Sequence, residues 1–165
     1  MGEDLRYPLT WPHGWPRAEF HKRAQFNQKG ARGYAEAVTV ATAMDRLETQ
    51  IELLGVSSPI LSTNMTLTLA GSPRSGQPKP EDPGVAFYFN LDGIPTVLAC
   101  DKGDTVAGNI VAIAKHIEAL RGMDRWGVGN LKQAFAGYTA LPSPIVIDPW
   151  WKVLGVDEFA SAAEI

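Results

Sequence analysis

Two apolar stripes at helical spacing, separated by a strand-rich middle, constrain this chain more than any other feature. Val40, Met44, Leu47, Ile51 and Leu54 recur at steps of four and three, which makes one apolar face on a helix over 34–54. Asp45, Glu48 and Glu52 fall on the opposite face, and Gly55 is placed to end the helix. Val106, Ile110, Ile113, Ile117 and Leu120 repeat the spacing in a second helix from about Thr105 to Arg121, with Asp104 as its expected N-cap. A shorter helix is expected from Leu131 to Gly137.

The middle reads as strands. Ile60 to Asn64 is short, and Met65, Leu67 and Leu69 alternate with Thr66 and Thr68, which predicts a strand with one buried face. Val85 to Phe89 and Thr96 to Cys100 are expected to pair across a turn at Asn90-Leu91-Asp92-Gly93. The intervening 71–84 holds three prolines besides Pro73, and glycines at 71, 76 and 84, a composition that cannot sustain regular structure. Strands between segregated helices predict an α+β two-layer domain: an antiparallel sheet of three to four strands packed by two amphipathic helices.

Three regions follow: a basic Trp/Pro-rich arm over 1–33, the α+β domain over 34–141, and a linker with a terminal motif over 142–165. Pro8, Pro12 and Pro16 remove backbone donors, so the arm is expected to be extended. Trp11 and Trp15 are too large to be left in water, and the expectation is that the arm lies across the domain. The net charge is −3, yet 1–33 has six basic residues against three acidic ones, about +3 locally and −6 for the rest. Bulk attraction for polyanions is therefore excluded, but local contact with phosphate is not.

Cys100 is the single cysteine, so an intramolecular disulfide is excluded, which fits a reducing cytoplasm. No apolar run approaches the ~20 residues of a membrane span, and the N-terminus lacks the apolar centre of a secretory signal. A cytoplasmic location is expected.

The segment Asp148-Pro149-Trp150-Trp151-Lys152-Val153-Leu154-Gly155-Val156, followed by Asp157 to Ile165, resembles the opening of a J domain. Trp150 and Trp151 match the paired aromatics, Leu154-Gly155-Val156 the glycine turn, and Ala160-Ser161 with Glu164-Ile165 the opening of a long helix. That family stimulates the ATPase of the heat-shock chaperone through a basic helix and a His-Pro-Asp loop. Neither occurs here, since His13, His21 and His116 are not followed by Pro-Asp. The resemblance implies a chaperone partner only where a full J domain follows. Asp82 to Phe89, Ala99-Cys100-Asp101 and His116 to Gly127 also resemble a group of bacterial and phage proteins with a trailing J domain, which implies a mobile-element setting and assigns no chemistry.

No catalytic motif emerges. A phosphate-cradling glycine loop and a Gly-x-Ser-x-Gly elbow are both missing. Local sequence places no histidine beside Cys100, so a buried structural thiol is expected. Asp92, Asp101 and Asp104 cluster around one hairpin and raise the alternative of a divalent-metal nuclease. Asp92 reads better as a turn residue. No metal or cofactor is expected.

Three groups are candidates for binding. Arg17, Lys22 and Arg23 on the arm, with Arg74 and Lys79 in the long loop, can contact phosphate. Arg121, Arg125 and Trp126 combine forked hydrogen bonding with stacking, which suits a protein partner or a nucleobase. The blander expectation there is a helix end in which Arg125 pairs with acidic neighbours and Trp126 plugs the core. The expected function is a non-enzymatic adaptor that binds a protein client or assembly ahead of a J domain. The alternatives are a nucleic-acid-binding accessory protein and a mobile-element inhibitor of a host defence complex.

Overall fold

The computed structural model describes residues 5–23 and 26–141. The elements run β1 (Asn27–Lys29), β2 (Ala35–Ala37), α1 (Val40–Leu54), β3 (Ser57–Thr63), β4 (Val85–Leu91), β5 (Ile94–Cys100), α2 (Val106–Arg125) and α3 (Leu131–Phe135), the last continued by a 3₁₀ turn at Ala136–Tyr138. The fold is α+β. Its main sheet is antiparallel in the order β3-β4-β5, and β1 and β2 form a separate ribbon.

The β4–β5 register decides which residues face which layer. Val85 lies opposite Cys100, Phe87 opposite Leu98 and Phe89 opposite Thr96. Opposed residues share a face, so this set forms the face under the helices, where it packs with Leu47, Ile110, Val111 and Ile117. Asp92 (φ 51°) and Gly93 (φ 80°) form the two-residue connection, and positive φ at both positions is what a twisted hairpin of this length requires.

The other face bears Ala86, Tyr88 and Val97, with Ser62 from β3. Ala86, Val97 and Ser62 are all fully buried, and the N-terminal arm is what covers them. Thr10 N donates to Ser62 Oγ (2.8 Å), Leu9 N to Asn64 Oδ1 (3.0 Å), and Tyr88 Oη to Thr10 O (2.9 Å). Burial pushes the Tyr88 phenol up to about 12. Trp11 and Trp15 are half-buried, linked by an indole hydrogen bond from Trp11 to Trp15 O (3.1 Å).

Several boundaries differ from the sequence expectation. The first helix begins at Val40, because Ala35–Ala37 pairs with Asn27–Lys29 and Thr39 caps the helix by accepting Thr42 N. The cap of α2 is Thr105, whose hydroxyl accepts Gly108 N (3.1 Å), rather than Asp104, and the helix runs on to Arg125. The strand expected over Met65–Leu69 does not form. There, Gln77 clamps the backbone, its Oε1 accepting Thr66 N and its Nε2 donating to Thr66 O, and Leu69 is fully exposed.

Candidate interaction surface

The polar interior is built around two residues that hold loops in place. Asp101, at the exit of β5, is buried. Its carboxylate accepts Arg17 Nε (2.9 Å) and Ala18 N (2.9 Å), while its carbonyl accepts His21 Nδ1 (2.7 Å). Arg17 also reaches Asp82 (2.6 Å) and lies over the Trp11 ring, 4.2 Å from its centroid. Arg17, a sequence candidate for phosphate contact, is therefore occupied in fastening the arm.

Asn109, on α2, is the second hub. Its Nδ2 donates to Pro83 O (2.8 Å) and Gly103 O (3.1 Å), and its Oδ1 accepts Gly103 N (2.8 Å) and the Cys100 thiol (3.3 Å). All four bonds that an amide side chain can make are used.

Cys100 and His116 line one cleft of about 260 Å³ with Trp15, Ile113 and Tyr138, a proximity that local sequence does not reveal. The pair is not arranged as nucleophile and base. Burial pushes the thiol pKa up, only partly offset by hydrogen bonds from the Lys102 and Gly103 backbone, and the thiol donates to Asn109 instead. Burial lowers the His116 pKa; its buried Nε2 has no partner, and the ring packs edge-on against Tyr138 at 5.2 Å. Asp92 and Asp101 flank the seven residues of β5 at opposite ends, roughly 25–30 Å apart by strand rise, so the three hairpin carboxylates cannot share one ion.

The end of α2 presents a different chemistry. Gly127 N donates to Asp124 O (3.0 Å) and Val128 N to Met123 O (3.1 Å), with Gly127 at φ 74°. This pair of bonds reverses the chain and returns Val128 to the turn bearing Met123. Trp126 lies against Gly122, where an added Cβ would meet the indole at 3.0 Å. The indole is 69% exposed, and Met123 and Val128 are exposed beside it. The expectation that Trp126 plugs the core is corrected: the bare backbone of Gly122 lets the ring rest against the helix, outside the core.

One cation stands at this apolar patch, and a second on the same helix is turned to α1. The Arg125 guanidinium sits 5.6 Å from the Trp126 ring centroid. Arg121 Nη1 donates to Gln50 Oε1 (2.9 Å), tying α2 to α1. Compared with family models, curated proteins and solved structures, the chain matches none.

The remaining candidates are dispersed. Lys22 and Arg23 are exposed on the arm, and Arg74 and Lys79 are exposed on the long loop. Arg17 is drawn away from them by Asp101. Trp150, Trp151, Leu154, Gly155, Val156, Ala160, Ser161, Glu164 and Ile165 lie outside the described residues. No helix among the described residues is long and apolar enough to cross a membrane. Sequence reasoning missed Met123 and Val128 as members of the Trp126 surface; the signal available was Gly122 four residues before Trp126 and Gly127 just after it. It also missed Asn109, which looks like one more polar residue on a helix.

Proposed function

We propose that the α+β domain is a non-enzymatic adaptor that docks a protein client through the end of α2, with Trp126 as anchor and Met123, Arg125 and Val128 beside it. The exposure of Trp126 on a backbone fixed by the helix-ending turn carries this reading. Protein interfaces are enriched in Trp, Met and Arg, and truncating such anchors removes much of the binding energy. Leaving a ring of this size in water has no benefit for folding. The employment of Asp101, Asn109 and the Cys100 thiol in holding loops together supports binding over catalysis. The terminal resemblance supplies the setting: a client-selecting domain ahead of a J domain, which in a complete form recruits the chaperone ATPase.

The test compares proteins retained from a lysate of the source cell by the unaltered chain, Trp126→Ala and Arg125→Glu. At least one protein should be held stoichiometrically by the unaltered chain and lost from both variants, with their melting temperatures unchanged. Identical retained sets for all three would sink the reading.

A further inference from the structure

From Phe20 to Tyr34 the chain holds Lys22, Arg23, Lys29 and Arg32 and no Asp or Glu, in a protein of net charge −3. These residues therefore contribute +4 and the rest −7. The structure gives much of the segment a fixed form. β1 and β2 pair with Lys29 opposite Ala35 and Gln28 opposite Glu36. Alternation puts Lys29 on the face of Ala35 and Ala37, away from the one carboxylate of the ribbon. Glu36 instead folds over Gly30, filling the space that a Cβ there would need. Arg32 occupies the tip, before Gly33 at φ 81°.

The ribbon is anchored to the body. Arg46 Nη2 donates to Asn27 O (3.1 Å), and Gln28 Oε1 accepts Thr39 N (3.1 Å) at the start of α1. Lys22 is fixed through its backbone, donating to Lys102 O (2.7 Å) and accepting from Asp104 N (2.9 Å). Arg23 lies three residues from Phe26, which packs on the core, so the two Cα atoms are at most about 11 Å apart. Phe20 is 78% exposed and Tyr34 76% exposed, so a bare aromatic ring stands at each end of the cationic run.

We propose that this segment binds single-stranded nucleic acid, with phosphates on Lys22, Arg23, Lys29 and Arg32 and unstacked bases on Phe20 and Tyr34. Cations that track a backbone and aromatics that accept any base are the two components such binding needs. The surface is separate from the Trp126 patch, so either can fail without the other. It also relocates the nucleic-acid reading of the sequence, since Arg17 is committed to Asp101 and the Arg74 loop offers no exposed aromatic among its residues 72–79.

Fluorescence anisotropy of a labelled oligothymidine of about twenty nucleotides, titrated with the full chain at roughly 50 mM salt and upward, tests this. Four contacts predict a log–log salt slope of about −2 to −3. The double reversal Lys29→Glu/Arg32→Glu should weaken binding at least about tenfold. Tyr34→Ala or Phe20→Ala should weaken it about fivefold or more without changing the slope, and Tyr34→Phe should restore it. Reversing Arg74 and Lys79 should cost less than about twofold, and duplex DNA of the same length should bind more weakly. Melting temperatures of the variants check folding. No binding at low salt, duplex bound as tightly as single strand, or loss through Arg74 and Lys79 rather than the ribbon would each overturn the proposal; capture of an acidic polypeptide in place of the oligonucleotide would do the same.

Discussion

Arg17 Nε lies 2.9 Å from the carboxylate of Asp101, a buried group 84 residues further along the chain. Removing one partner of a buried pair costs about 3–5 kcal/mol, but Arg17 is 40% exposed, so solvent screening reduces that figure. Its second pair, with Asp82, is exposed on both sides and contributes about 0–1 kcal/mol. Arg17→Ala should destabilise by about 1–3 kcal/mol in urea unfolding, and Asp82→Ala by less than about 1 kcal/mol. Equal effects would mean that Asp101 is not the fastening point.

Asn109 should be intolerant of apolar replacement. Asn109→Leu fits the helix but orphans Gly103 N, Gly103 O and Pro83 O. Unsatisfied buried groups cost about 1–3 kcal/mol each, so a loss of at least about 2 kcal/mol is expected by calorimetry. The Cys100 thiol loses its acceptor in the same variant, and its alkylation rate reports whether the loop has opened.

His116 gives a pH signature. Burial lowers its folded pKa below the ordinary 6.5, so the unfolded chain binds the proton more readily. Stability from this group is fully present above 6.5 and is lost as pH falls through the folded value. Unfolding free energy should therefore decline as the solution is acidified below about pH 6.5. His116→Phe should flatten that decline, and should not destabilise at pH 7.5, because Nε2 has no partner to lose. The Lys115 ammonium, by hydrogen bond and charge, holds the exposed Glu118 carboxyl low, so what that pair contributes is present throughout this window and is lost only in more acidic solution.

Gly122→Ala sets two small effects against each other. Alanine favours a helix interior by about 1 kcal/mol over glycine, but its Cβ would press on the Trp126 indole at 3.0 Å. Stability should change by less than about 1 kcal/mol, while the indole is displaced and its fluorescence maximum moves. An unmoved spectrum would mean that Gly122 does not set the ring's position.

The stripes of α1 and α2 were legible because tertiary packing uses the faces that their spacing defines. The β4–β5 hairpin was legible because Asp92-Gly93 suits positive φ and its strands are apolar. The β1–β2 ribbon was not, since Asn27-Gln28-Lys29 are poor strand formers and Gly30 and Gly33 read as loop. Met65 to Leu69 alternates as a strand should, yet hydrogen bonds from Gln77 satisfy its backbone locally. Trp126 was misplaced because hydrophobicity alone cannot register that Gly122 leaves room for a ring on the helix surface. The Asp101 and Asn109 hubs bridge 83 and 26 residues, distances at which one sequence carries no pairing signal.

The arm's placement sets an order of events during synthesis. Tyr88 and Asp101, which receive Thr10, Arg17 and Ala18, are made some eighty residues after them. At about 5–20 residues per second that gap lasts several seconds, during which the nascent chain carries two tryptophans with nothing to cover them. The second sheet face can close only when β5 is complete, so the arm has to wait for strands made well after it before it finds its place.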